Sequence, residues 1–377
     1  AKLLQVNVKQ KLACSTIAQM GFMIMQCGLG FFNAAVVHLI LHGFYKAFLF
    51  LSAGEEIGLS KVSDFNSTER EGLGFYQVTQ QNGQRCSTAK GYLTPALTRP
   101  NLTVLTKALV EKIQIVDGVA TGVKLQLNGQ SIELTANKEV LLSAGAINSP
   151  QVLMLSGIGP KEHLAEKGID VKVDLPGVGQ NLQDHLDAIV QHRCKNRDSY
   201  SISLALIPFN YMFNRQGLLT SNVAEAGGFD RTQSADAIPN IQYHFLPAIL
   251  LNHGRTTAFG YGYGVHVCGL YPKSRGEIKL RSNNPNEPAM IDPRYLEHPD
   301  DQKVMVDGVR RARKILAAPA FEKYQSWEIG PGPEAQTDEQ ILAFIRKKAE
   351  TIYHPVGTCK MGDVEDVMTV VDSQLKV

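Results

Sequence analysis

The sequence predicts a mixed α/β (α+β) fold that is preceded by a hydrophobic hairpin of two helices. The run from Leu12 to Tyr45 contains no Asp, Glu, Lys or Arg, which is typical of a segment embedded in a membrane. After residue 54, short alternating segments separated by turn dipeptides indicate an antiparallel sheet, and later stretches show helical periodicity. With 377 residues the chain is long enough for two domains, and with 38 basic and 36 acidic side chains it is too neutral to predict nucleic-acid binding.

The uncharged run divides near Gly28-Leu29-Gly30 into two segments, each close to the roughly 20 residues that cross a bilayer core. In the second segment His38, His42 and Lys46 are spaced four residues apart, so a helix aligns them on one face. Ionisable groups at bilayer depth usually line an ion or proton path. A buried helix of a soluble protein, with hydrogen-bonded histidines, is the alternative that the spacing leaves open.

Residues 1–54 resemble the antiporter-like, proton-translocating subunits of respiratory complex I and related cation transport systems. The resemblance rests on "STIAQMGFMIMQCGLG" and "HLILHGFYKAFLFLSAG". It implies that His38, His42 and Lys46 belong to a proton pathway and that residues 12–53 associate with a membrane.

A three-stranded meander is predicted where the sequence turns polar. The segments "KIQIV", "TGVKLQL" and "SIELTA" are joined at Asp117-Gly118 and Asn128-Gly129, the dipeptides that suit tight hairpin turns. "EVLLSAG" then predicts a buried strand, which ends at Gly145. A strand that ends in Ala-Gly and turns into a helix is a common way for backbone to approach a dinucleotide, although the stretch taken alone favours a plain strand-turn-helix unit.

Three helices are predicted further along the chain. "NSPQVLMLSGIG" reads as a helix with Ser149 as N-cap, Pro150 at the first position and Gly157 just past the end. "DDQKVMVDGVRRARKIL" and "TDEQILAFIRKKAE" predict two more, the second with a capping box formed by Thr337 and Gln340.

A candidate catalytic residue lies in the loop "TIYHPVGTCKMG". His354 stands before Pro355, which biases it to extended backbone, and close to Gly357, which permits a sharp turn. The loop therefore presents an imidazole in one pose, and imidazole accepts a proton at modest cost near neutral pH. Taken alone, a His-Pro pair in a loop is more often structural than catalytic.

The chain from residue 54 resembles the glucose-methanol-choline family of flavin-dependent alcohol oxidoreductases. Five stretches carry the resemblance in the order of the family: "EGLGFYQVTQQNGQRCSTAKGYL", "SAGAINSPQVLMLSGIGP" with "VDLPGVGQNLQDH", "PKSRGEIKLRS", "IDPRYL" and "YHPVGTCKMG". The resemblance implies FAD as cofactor and oxidation of an alcohol by hydride transfer to the flavin, with His354 as proton acceptor. It places Val110, Ala144 and Gly145 against the cofactor, and it implies no metal.

The resemblance also implies a partial family fold in several segments. Residues 1–54 form the hydrophobic hairpin, 55–186 part of an FAD-binding domain, 187–336 a substrate domain with an antiparallel sheet, and 337–377 a return to the FAD-binding domain. "QYHFLPAILLNHGR" and "HVCGLYPKSRG" favour a primary alcohol as substrate, with choline as competitor. A quinone or another electron acceptor is expected. The six scattered cysteines have no zinc-site spacing and predict reduced thiols in a cytosol-facing protein. Together with the resemblances, this implies a bacterial-type protein of the cytoplasm or the cytoplasmic face of the inner membrane.

The family's opening GxGxAG turn, which holds the FAD pyrophosphate, has no counterpart in this sequence, nor has the family's segment with a second catalytic His or Asn. We therefore expect weak FAD retention. Ala53-Gly54 fits the motifs of both families, and we interpret the chain as a chimera joined there. Three functions remain as hypotheses: an alcohol oxidoreductase, an ion-translocating membrane subunit, and a fusion with neither activity.

Overall fold

The computed structural model describes residues 47–195, 220–256 and 260–377. The predicted hairpin, including His38, His42 and Lys46, lies outside the described residues apart from its last few positions. None of the described helices combines the length and the apolar composition needed to cross a membrane. The described chain forms two compact units. The first contains residues 47–95, 188–195, 220–256, 260–268 and 305–349, and the second contains residues 96–187, 269–304 and 350–377.

The described residues form both strands and helices, which confirms the predicted mixed class. The strands are β1 Gly72–Phe75, β2 Gln80–Gln81, β3 Gln84–Arg85, β4 Ala108–Val116, β5 Val119–Leu127, β6 Gln130–Thr135, β7 Ile158–Gly159, β8 Val173–Asp174, β9 Leu186–Cys194, β10 Ala226–Asp230, β11 Ile241–Leu246, β12 Gly262–Gly269, β13 Glu277–Lys279, β14 Met290–Asp292, β15 Gln325–Gly330 and β16 Glu350–Thr351. The α-helices are α1 47–56, α2 Thr94–Ala96, α3 Gly145–Leu155, α4 Lys161–Glu166, α5 Pro299–Leu316 and α6 Asp338–Lys348. A π-helical turn spans Ala89–Leu93, and 3-10 turns span Asn252–Gly254 and Pro319–Phe321.

The first unit is built on a sheet whose strands are ordered β1-β10-β11-β12-β9-β15. The β1–β10, β10–β11 and β9–β15 pairs are antiparallel. Helix α5 buries Val309, Ala312 and Leu316 at helical spacing, so its apolar stripe contributes to the core. Helix α6 begins with the predicted capping box, in which Thr337 and Gln340 satisfy each other's backbone N–H.

The end of the hydrophobic N-terminal segment is part of this core. Phe50 is fully buried in α1, and its ring stacks on Phe245 of β11 at 4.9 Å between centroids. Phe48 meets Phe75 of β1 edge to face at 5.3 Å. Helix α1 runs without interruption through Ala53-Gly54, so the two resemblances meet inside a packed helix rather than in a linker.

The second unit contains the predicted meander of β4, β5 and β6. Both turns adopt positive φ at each central residue, +47° and +76° at Asp117-Gly118 and +51° and +78° at Asn128-Gly129, the conformation that such dipeptides favour. The core of this unit lies between the meander, α3 and β13. Its most deeply buried side chains are Met154, Leu164, Val178, Leu182, Ile278 and Leu280.

Two predictions about the segment before α3 are wrong. "EVLLSAG" forms no strand, and its Leu141 is 79% exposed, because no neighbouring strand among the described residues pairs with it. Helix α3 begins at Gly145 with Ala144 as N-cap, so Ser149 and Pro150 lie inside the helix. Ser149 Oγ instead accepts the backbone N–H of Ala144 at 3.1 Å. The predicted end is confirmed, since Gly157 follows the helix with φ of +89°.

The domain boundaries predicted at residues 54, 186 and 336 stay a prediction.

Candidate active site

The His354 loop in the second unit is an irregular partner of the segment that leads into β9. Thr351 pairs with Leu186, and Gln183 pairs with Val356 through two backbone hydrogen bonds of 3.0 and 2.9 Å. More residues lie between these pairs on the His354 side than on the other, so the loop bulges outward. His354 stands on this bulge with an exposed side chain.

A buried carboxylate fixes the base of the bulge. Asp184, 8% exposed, accepts the backbone N–H of His354 on Oδ1 at 2.9 Å. Its Oδ2 accepts the hydroxyls of Tyr295 and Thr351. Burial, and then the bond to Asp184, raise the pKa of Tyr295, so this phenol stays a donor. The carboxylate thereby links three parts of the second unit: its own segment before β9, the segment of Tyr295, and the loop that carries Thr351 and His354.

A second histidine faces the first. His185 Nδ1 lies 3.4 Å from His354 Nδ1, and the rings meet edge to face with centroids 5.5 Å apart. On its other side, His185 Nε2 lies 3.0 Å from the carbonyl oxygen of Leu270. Burial and the neighbouring His354 lower the pKa of His185, so its neutral form is favoured.

Tight backbone packing restricts the loop after His354. Gly357 has φ of +96°, and a Cβ on it would lie 2.4 Å from the carbonyl oxygen of Asn181. Asn181 Nδ2 donates to the Gly357 carbonyl at 3.0 Å. The predicted need for glycine at this turn is therefore explained by both its φ and its closeness to Asn181.

The same loop is bonded to the start of α3. The buried Thr358 hydroxyl donates to the carbonyl oxygen of Ala146 at 2.5 Å. In a regular helix the N–H of residue 150 would bond to that carbonyl, but Pro150 has no N–H. Because Pro150 cannot donate to it, the Ala146 carbonyl is available to the Thr358 hydroxyl. This bond connects the His354 loop to the start of α3.

The role of Val110, Ala144 and Gly145 against a cofactor stays a prediction, and the structure describes the backbone at each of them. Gly145 has φ of +82°, and among the described residues no atom lies within 4 Å of a Cβ built there. Ala144 and Gly145 are exposed. Val110 lies in β4 opposite Leu125, and the ladder is irregular between Val110 and Lys112, which redirects backbone groups. The open backbone at Gly145 fits close approach by a flat or phosphate-bearing group such as FAD.

Sequence reasoning singled out His354, whose catalytic role stays a prediction, and did not single out the residues that contact it. Asp184 and His185 close the quoted stretch "VDLPGVGQNLQDH", and the adjacent acid and imidazole in that run were the available signal. Neither Tyr295 nor Thr351 carries a local signal, because their roles depend on contacts across the fold. The second unit brings Ala144, Gly145 and the His354 loop together through the Thr358–Ala146 bond, while Val110 lies on the neighbouring meander.

Comparison with known families shows which family the chain belongs to. Two family models, each described as GMC oxidoreductase, match residues 39–187 and 272–377. The chain belongs to the GMC oxidoreductase family. A further model, described as NADH:quinone oxidoreductase/Mrp antiporter, TM, matches residues 1–73. Both resemblances are therefore confirmed, and their matches overlap around helix α1.

Relatives of this GMC chain include two dehydrogenases. The alcohol dehydrogenase [acceptor] of Pseudomonas putida is 48% identical over 336 residues, covering 87% of this chain and 60% of the relative. An oxygen-dependent choline dehydrogenase of Staphylococcus aureus is 43% identical over 328 residues, covering 86% of this chain and 58% of the relative. The chain spans about three fifths of the length of these curated relatives.

Solved structures show the same fold. Pyridoxine 4-oxidase from Mesorbium loti is 27% identical with a TM-score of 0.77, over 88% of this chain and 62% of that protein. Formate oxidase from Aspergillus oryzae is 24% identical with a TM-score of 0.80, over 89% of this chain and 63% of that protein. The second likeness is one of fold alone.

Proposed function

We propose that this GMC chain is an FAD-dependent oxidoreductase that oxidises the CH–OH group of a primary alcohol. The observation that carries the proposal is the exposed imidazole of His354, whose backbone is held by the buried carboxylate of Asp184 at 2.9 Å. FAD, when bound, supplies the hydride acceptor. His354 accepts the hydroxyl proton, which makes the substrate alkoxide-like and a far better hydride donor.

The cofactor is held, in this proposal, by Val110, Ala144 and Gly145. The positive φ of Gly145 and the open space at its Cβ position support close approach of the cofactor there. The bond from Thr358 to the Ala146 carbonyl keeps this backbone beside the His354 loop, which is the arrangement that removal of a proton from the substrate hydroxyl and of a hydride from the adjacent carbon requires.

A primary alcohol is the first substrate candidate and choline the second. The relative named alcohol dehydrogenase is 48% identical and the one named choline dehydrogenase 43% identical, so both classes remain candidates. An anaerobic series of primary alcohols and choline, added to the chain with saturating FAD, separates them by which compound bleaches the flavin absorption. Absence of bleaching by every member would overturn the proposed activity.

FAD binding is tested separately by titrating the chain into FAD and following the quenching of flavin fluorescence. Gly145→Val adds a side chain where the cofactor is proposed to lie and is expected to weaken binding at least tenfold. Gly118→Val is the matched control, because Gly118 also has positive φ, +76°, and an open Cβ position but lies in the β4–β5 turn. Equal FAD affinity in the two variants would show that Gly145 is not part of the cofactor site.

The N-terminal segment supports a second candidate function. The match of residues 1–73 to the antiporter family favours membrane association, with His38, His42 and Lys46 as the proposed proton path. We further propose a quinone as electron acceptor and a location at the cytoplasmic face of the inner membrane.

Membrane association is tested by carbonate washing, after which we expect to recover the full chain in the membrane fraction. Release of the chain by carbonate would contradict the proposed membrane association.

A further inference from the structure

The contacts of His185 determine the tautomer of His185 and, through it, the tautomer of His354. A carbonyl oxygen only accepts hydrogen bonds, so the contact of 3.0 Å between His185 Nε2 and the Leu270 carbonyl requires a proton on Nε2. In the neutral ring the other nitrogen, Nδ1, then carries a lone pair. Burial lowers the pKa of His185 and so favours this neutral ring.

The lone pair on His185 Nδ1 faces His354 Nδ1 at 3.4 Å. Two lone pairs would repel at this position, so the contact is favourable only when His354 Nδ1 carries the proton. The distance is long for a hydrogen bond, as catalytic hydrogen bonds commonly are before substrate binds. With the proton on Nδ1, the neutral His354 has its lone pair on Nε2.

We propose that His185 is a positioning residue, which, together with the Leu270 carbonyl, holds His354 in the Nδ1–H tautomer and so selects Nε2 as its basic nitrogen. This inference rests on the proposed function for its catalytic consequence. When the substrate O–H bond breaks, its proton goes to His354 Nε2 and its electron pair stays on the substrate oxygen. The resulting imidazolium keeps its Nδ1–H bond to His185, which spreads the positive charge.

The backbone supports this assignment independently of the rings. Asp184 Oδ1 accepts the N–H groups of both His185 and His354, each at 2.9 Å. One carboxylate oxygen thus sets the relative positions of the two main chains, and the rings meet as a consequence. The pair is preorganised by a buried group rather than by solvent-exposed contacts.

The tautomer is measured directly, without FAD or turnover, by two-bond ¹H–¹⁵N correlation spectra of the ¹⁵N-histidine-labelled chain above about pH 8, where ordinary imidazoles are neutral. The His354 signals are assigned by their loss in His354→Gln. We expect a protonated Nδ1 and a bare Nε2 at His354 in the native chain. A protonated Nε2 at His354 would overturn the proposal.

Three variants of His185 separate positioning from simple packing. His185→Asn retains an acceptor oxygen near the place of Nδ1, His185→Gln retains only the donor near Nε2, and His185→Phe removes both. We expect the Nδ1–H tautomer of His354 to persist in the Asn variant and to give way to a mixture in the other two. An unchanged His354 tautomer in His185→Phe would also overturn the proposal.

A kinetic test of the same variants depends on the proposed activity. Its outcome is therefore separate from that of the tautomer measurement. With saturating FAD, alcohol-dependent flavin reduction is expected to fall about tenfold or more in His185→Gln and to recover in His185→Asn. Equal rates in the Gln and Asn variants would contradict a role of the tautomer in catalysis, whereas lack of reduction in the native chain would refute the activity itself.

Discussion

The Asp184 carboxylate and the His354 backbone N–H form a hydrogen bond of 2.9 Å across the base of the candidate active site. The carboxylate also accepts hydroxyls from Tyr295 and Thr351. Removing it leaves several partly buried donors without an acceptor, so Asp184→Ala is expected to lower the free energy of unfolding by about 3 kcal/mol. Asp184→Asn, which keeps one acceptor oxygen, is expected to cost about 1 kcal/mol.

Urea unfolding followed by circular dichroism measures both changes. Asp170→Ala is the matched control because Asp170 is exposed, and its effect is expected to stay within about 0.5 kcal/mol. Native-like stability of Asp184→Ala would contradict the role of this carboxylate.

Thr358→Val tests the connection between the His354 loop and α3. The variant keeps the shape of a side chain that is 1% exposed but leaves the Ala146 carbonyl without its donor. We expect a loss of about 1–2 kcal/mol in the free energy of unfolding, and a smaller loss in Thr358→Ser, which retains the hydroxyl. If the Val variant unfolds at the same urea concentration as the native chain, the bond contributes nothing.

His163 is expected to make stability depend on pH. Its Nε2 accepts the Leu280 N–H at 3.0 Å, and its pKa is lowered by burial and then by Lys167. Because the folded-state pKa lies below the unfolded value of about 6.5, the contribution of neutral His163 is complete above the unfolded value and is lost as the pH falls from there through the folded-state pKa.

His163→Gln keeps an acceptor for the Leu280 N–H but does not titrate. The stability advantage of the native chain over this variant should therefore shrink as the pH falls below about 6.5 and through the lowered folded-state pKa. Urea unfolding at several pH values gives the difference directly. A difference that is constant or grows on acidification would contradict the lowered pKa.

Cys359 is expected to react slowly with alkylating reagents in the folded chain. Burial raises the pKa of its thiol to about 11, so little thiolate is present near neutral pH. Mass spectrometry of the alkylated chain should show a rate on the order of a hundredfold below that in urea. Equal rates in the folded and unfolded chain would show that the thiol is accessible and that its pKa is not raised by folding.

The sequence predicted those parts of the fold whose cause is local. The meander follows from Asp117-Gly118 and Asn128-Gly129, whose positive φ values require such residues, and the capping box of α6 follows from Thr337 and Gln340. His354 was singled out through its motif. These features depend on residues close together in the chain, so they are visible before folding.

The missed features depend on distant contacts. Pro150 is a common first residue of a helix, but here the Ala146 carbonyl has the Thr358 hydroxyl as an alternative donor, so the proline is tolerated inside α3. The apolar run that ends before Gly145 predicts a strand, yet strand formation needs a paired neighbour. His185 was not singled out because its role arises only when it faces His354.

The central claim, that His354 is the proton acceptor of an alcohol-oxidising flavoprotein, is tested most directly by anaerobic flavin reduction in the native chain and in His354→Gln at saturating FAD. We predict reduction of the flavin by a primary alcohol or choline in the native chain, and a rate lower by about 10² to 10⁴ in the variant at unchanged FAD affinity. Equal rates in the two proteins would contradict the claim.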